Sequence, residues 1–279
     1  MDFRRLLLVT TVTTAITALI GVITATSGAG LTCEARWPLC DGAVFGLFPA
    51  NFMSFIEWSH RLVAMVAGLL IIGSTITVWR GGADRRVRLA TLAALCLTPL
   101  QVVFGAFTVL VHEFAFGYSV LVLTFHFGLA ALILGLFVAA TVWAYAEVSP
   151  VSTETVRQAG TIALLGFPVM VALTPRLFLT FGEIVQFLYY GIGFGVFAAL
   201  TALTLWAREI NIRAIPLAGS VAAVLVIAQL IVARRAFGDT GQLAILALSF
   251  VAFGLTLAAV WRVRRIDAAA AVPASTASD

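Results

Sequence analysis

Apolar residues run along this chain in eight long blocks, separated by stretches where charge, glycine and proline collect. The blocks cover residues 6–28, 55–79, 89–111, 118–145, 159–178, 184–207, 213–234 and 242–262. A helix needs about 20 apolar residues to cross the hydrocarbon layer of a membrane, where every backbone polar group must be satisfied internally. Eight blocks of this length predict eight transmembrane helices and an all-α polytopic membrane protein. Connections after the first helical hairpin are short; only 29–54 is long. The first block follows a charged start. It exceeds a signal-peptide core and no small-residue cleavage site clearly follows, so it reads as a retained helix. Residues 267–279, rich in Ala, Ser and Thr, read as a disordered tail.

Composition agrees with the blocks. The chain is 62% hydrophobic and 11% charged, against about 25% charged residues in soluble domains. Its basic residues are all arginine and lie mostly between blocks, so they report topology rather than nucleic-acid binding. With the N-terminus in the cytoplasm, Arg4, Arg5, Arg80, Arg85, Arg86, Arg88, Arg157, Arg208, Arg213, Arg262, Arg264 and Arg265 fall inside. Arg36, Arg61, Arg176, Arg234 and Arg235 fall outside. The bias predicts an integral protein of the cell membrane with both termini cytoplasmic. Arg234 and Arg235 are the exception, accommodated only as side chains reaching for the interface. Cys33 and Cys40 are then external, in an oxidising setting where disulfides persist. They read either as a structural staple or as a redox pair. Cys96, inside the third block, reads as a small buried hydrophobe.

The blocks also repeat. Glu57-Trp58-Ser59-His60-Arg61 opens the second, and Gln186-Phe187-Leu188-Tyr189-Tyr190 opens the sixth. Gln101 in the third has a counterpart in Gln229 of the seventh. This pattern predicts two pseudo-symmetric four-helix bundles, residues 1–146 and 147–266. The halves differ chemically, because all three histidines lie in the first.

Ionisable groups at membrane depth are costly and are functional candidates by default. Glu57 and His60 are three apart and share a helix face. His60 and His126 both lie roughly 8–12 Å below the external ends of their helices, at about 1.5 Å per residue. A membrane histidine serves either as a hydrogen-bonded helix contact or as a ligand. Two at matched depth in one bundle favour the ligand reading, with a flat heme between them. His112, beside Glu113 at the external end of the third block, reads equally as an interfacial residue or as part of the ligand edge. Glu57 reads as a catalytic carboxylate or as an ion pair with Arg61 or Arg36.

Together these segments resemble the heme A synthases. The resemblance rests on Gly21 to Thr24, Ser27 to Gly30, Cys33 with Trp37-Pro38-Leu39-Cys40, Glu57 to Arg61, Gln101 to Gly105 and His126-Phe127. It implies two pseudo-symmetric bundles and an oxidoreductase that converts heme O to heme A for cytochrome oxidases, taking a ring methyl to a formyl group. It implies that His60 and His126 ligate the substrate heme and that Glu57 is catalytic; Arg61 and His112 are read as further heme-binding candidates beside them. It also makes Cys33 and Cys40 the family's external cysteine pair, and a heme O synthase and a homo-oligomer candidate partners. Family members usually carry a second histidine pair for a b-type heme. Here no histidine follows His126, and Tyr189-Tyr190 stand where His-Arg is expected, so a second heme is not expected. Two rivals remain: a heme-binding or electron-transfer protein without catalysis, and a transporter with Glu57 and Arg61 on its path. Transporters built from repeats place their site between the repeats, whereas the titratable groups here concentrate in the first half.

Overall fold

A computed structural model describes residues 2–33, 36, 39–40, 49, 51–110, 120–175, 177–234 and 240–270. It contains eight long helices: α1 (Phe3–Thr26), α2 (Phe52–Arg80), α3 (Arg85–Leu110), α4 (Val120–Ala146), α5 (Thr153–Ala172), α6 (Glu183–Glu209), α7 (Ile215–Val232) and α8 (Thr240–Ala270). All eight are long and apolar enough to cross a membrane. The protein is an integral membrane protein. A single 3-10 turn, Ala29–Leu31, follows α1.

Helix ends depart from the apolar blocks where caps and breakers act. Asn51 caps α2 by accepting the Ser54 N–H at 2.8 Å, so that helix begins before its apolar run does. α5 starts six residues early. Ser152 accepts the Thr155 N–H at 3.2 Å, and Glu154 pairs with Arg157 in the first polar turn. The same helix stops at Ala172, shortly before Pro175, because the residue preceding a proline is driven out of the α region. α8 continues through Asp267 to Ala270, into the Ala-rich stretch expected to be a tail.

Within each half the helices pack as a ring of neighbours, α1–α2–α3–α4 and α5–α6–α7–α8. The halves meet through α4 and α1 against α6, and α4 against α7. Phe127 of α4 stacks on Phe194 (centroids 5.8 Å) and meets Tyr190 edge-on (5.7 Å). Small polar residues join the helices of the first bundle. The Thr10 and Ser74 hydroxyls lie 2.7 Å apart, and those of Thr11 and Thr141 2.9 Å apart.

One end of the molecule carries most of the arginines. There Arg86 pairs with Glu209, tying the first half to the second. Arg4 donates to the Ala144 carbonyl at 2.9 Å and to Glu147 at 3.3 Å. The buried apolar cluster of the first bundle lies toward this end, around Leu7, Val78, Val87, Ala94 and Phe137. In α3 no residue beyond Ala94 is buried. The second bundle has a larger core running its full length, from Phe181 and Tyr189 to Leu203 and Val263.

One sequence expectation fails here. Cys96 is exposed, not buried. α3 buries the face of Val87, Ala90, Thr91 and Ala94. Cys96, two residues past Ala94, is turned by about 200° to the opposite side, where a thiol meets lipid at little cost.

Candidate functional site

The expected site residues gather at the end opposite the arginines. Cys33 and Cys40 form a disulfide, with Cα atoms 4.6 Å apart. Beneath it lies Glu57, 2% exposed. The Cys33 N–H donates to Glu57 Oε2 at 2.7 Å, and the Thr32 hydroxyl donates to the same oxygen at 3.2 Å. Arg61, one turn further along α2, donates to Oε1. Three donors from two segments therefore hold one buried carboxylate. The ion pair expected as the structural reading of Glu57 is present. The backbone grip from Cys33 was not foreseen, because it comes from the turn after α1 rather than from α2. Its only trace in the sequence is a cysteine pair placed shortly before Glu57.

His60 and His126 occupy equivalent places in two helix pairs. The His60 ring lies on Gly21 of α1: a Cβ there would be 2.9 Å from His60 Cε1. The His126 ring lies on Gly105 of α3: a Cβ there would be 3.1 Å from His126 Cε1. Each glycine thus clears the space its histidine fills. His126 Nε2 faces the Gln101 side-chain nitrogen at 3.4 Å. Nδ1 of each ring is buried without a hydrogen-bond partner, as is Gln101 Oε1. A buried nitrogen left unsatisfied costs free energy unless something binds it. The two rings lie within electrostatic reach of each other. Both side chains are only half-buried, in the part of the bundle that its apolar core does not reach. α2 and α3 also touch over a shorter stretch than α6 and α7, their counterparts.

These features fit a bis-histidine porphyrin site. His60 and His126 are the residues that would hold the iron of such a group through their ring nitrogens. Aromatic side chains, among them Phe104 stacked on Phe125 at 5.5 Å, line the neighbouring helices. Arg61 stands at the site, engaged with Glu57. His112, Trp37, Pro38 and Arg235 lie outside the described residues.

The equivalent place in the second bundle is closed. Gln229 Nε2 donates to the Tyr189 hydroxyl at 3.0 Å. Ser249 Oγ lies 2.8 Å from Gln229 Oε1 and 2.9 Å from the Ile245 carbonyl. The Tyr190 hydroxyl donates to the Leu230 carbonyl at 2.9 Å. Tyr189, Tyr190, Gln229 and Ser249 are all fully buried. Their polar atoms are engaged with one another and with the backbone carbonyls of Leu230 and Ile245. Gly193 lets α6 and α7 close together, since a Cβ there would be 2.6 Å from Leu230 Cδ2.

Fold and site define an eight-helix integral membrane protein with one histidine pair set in the open end of its first bundle. The family profile of the cytochrome oxidase assembly proteins, COX15-CtaA, matches residues 46–191, from ahead of α2 into α6. The chain belongs to that family. It is similar to the heme A synthase of Bacillus licheniformis, 31% identical over 105 residues, covering 37% of this chain and 34% of the relative. The heme A synthase of Alkalihalophilus pseudofirmus is 33% identical over 140 residues, covering 50% and 45%. A protoheme IX farnesyltransferase of Halobacterium salinarum is 41% identical over 91 residues, 33% of this chain but 20% of that protein. The chain thus matches less than half the length of each of these curated relatives.

Proposed function

We propose that this protein is an oxidoreductase of heme A formation, taking a ring methyl of heme O to a formyl group for cytochrome oxidase. The observation that carries the reading is the pair of histidine rings, each laid on a facing glycine, with a clamped carboxylate one turn away. His60 and His126 hold the iron of the substrate from opposite sides. Taking the methyl to a formyl group removes four electrons, which an external oxidant accepts while water supplies the oxygen, and passes through an electron-poor carbon. Glu57, fixed by the Cys33 amide, Thr32 and Arg61, is oriented to stabilise that charge, to take a proton or to order an attacking water. The disulfide keeps the Cys33 amide in place and so acts through Glu57.

The arginine bias supports cytoplasmic termini and an external heme site. The relatives named protoheme IX farnesyltransferase support a heme O synthase as a partner that delivers the substrate. The second bundle acts as a scaffold with no iron of its own. That closed bundle also favours a second reading, in which the chain binds heme without turnover. Expression with a heme O supply separates the two, with bound hemes identified by pyridine hemochrome and mass spectrometry. Heme A or its hydroxylated precursor must appear; unmodified heme alone would leave the non-catalytic reading, and no Soret band would end both.

A further inference from the structure

A side chain of the second bundle reaches the first beside its histidine pair. Arg234 follows the end of α7, yet its guanidinium carbon lies 5.8 Å from the ring centroid of Phe127, the residue after His126. It is close enough for its charge to act on both His126 and Tyr190. The Tyr190 hydroxyl bonds the Leu230 carbonyl and pins the last turn of α7, one turn before Arg234. Arg234 is half-buried, and among the described residues it has no carboxylate partner. This is one of the arginines that the topology left unexplained.

A half-buried guanidinium over an aromatic ring gains little there and is poorly solvated, so an anion that can reach it binds well. His60 is the ninth residue of α2 and His126 the seventh of α4, whereas Arg234 lies just beyond α7 at the same end. The cation is therefore nearer the aqueous edge than the histidines. A porphyrin held by its iron at their depth carries its two propionate carboxylates on one rim, and that rim is the part seeking water. We infer that Arg234 binds a propionate carboxylate of the porphyrin held between His60 and His126. The inference rests on the heme reading above. It gives the second bundle a positioning role: α7 supplies the residue that sets how the macrocycle is rotated, and so which ring edge meets Glu57.

The test titrates purified protein in detergent with iron protoporphyrin IX and, separately, with its dimethyl ester, following the Soret band. The wild-type protein should bind the free acid about tenfold or more tightly than the diester, the scale of one charge-assisted contact. R234Q should weaken the free acid by about that factor and leave the diester unchanged, and R234K should recover part of the difference. H60A and H126A should lose both ligands. A wild-type protein that binds acid and diester equally overturns the inference, whatever becomes of the variants. So does R234Q weakening both ligands alike, which marks a packing role, or R234Q keeping the full preference, which leaves Arg234 to a lipid phosphate. A wild-type protein that binds neither porphyrin overturns the heme reading itself.

Discussion

The two bundles are built alike and differ in what occupies the same end of each. In the first, half-buried rings rest on Gly21 and Gly105, each with a nitrogen left without a partner. In the second, Tyr189, Gln229 and Ser249 occupy the corresponding places and bond to one another. The difference lies in self-sufficiency. Tyr, Gln and Ser supply both donors and acceptors, so their polar groups are partnered inside the core. The two imidazoles each keep a buried Nδ1 without a hydrogen-bond partner, which leaves them in need of a ligand. The second bundle meets the first through the Phe127 and Phe194 stack and through Arg234 over the Phe127 ring.

The largest effect should come from removing either histidine. His60→Ala or His126→Ala should abolish stoichiometric porphyrin binding, read as loss of the low-spin Soret spectrum. An unchanged spectrum in both would erase the contrast between the bundles. Next is Glu57→Gln, expected to keep the porphyrin and to slow heme A formation by about 10²-fold or more. If Glu57 is only an ion-pair partner, that variant instead loses expression and heme together, and Arg61→Ala does the same.

Replacing Cys33 and Cys40 by Ser should loosen the amide that holds Glu57. Turnover should then fall while porphyrin content stays near normal, and the wild-type thiols should label only after reduction. Gly21→Ala puts a methyl where the His60 ring lies, at a cost of about 1–3 kcal/mol for overpacking, and should lower porphyrin affinity. Gly193→Ala in the second bundle should lower thermal stability without touching the spectrum. The smallest effect is expected of Tyr189→Phe. It leaves the Gln229 amide one acceptor short, worth about 1–3 kcal/mol of stability, with heme stoichiometry unchanged. A fall in heme content there would mean that the second bundle carries a ligand after all.

The eight helices were legible in the sequence because lipid imposes a local rule. A segment that crosses must be apolar along its whole length and must bond its own backbone, whatever its neighbours do. The histidine pair stood out for the same reason, since titratable groups inside such segments are rare. Helix ends were less legible where a cap such as Ser152 lay before the apolar run or a breaker such as Pro175 lay inside it. Which face of α3 meets the bundle, and hence the exposure of Cys96, was not legible at all, because an apolar helix in lipid carries little pattern to mark its inner side. Three things were decided only by the packing of one helix on another: the Cys33 amide on Glu57, the glycine beneath each histidine, and Arg234 beside Phe127. Each joins residues far apart in the chain through backbone positions or single close approaches. No periodicity records such contacts, since they follow from where the helices stand rather than from which residues they contain.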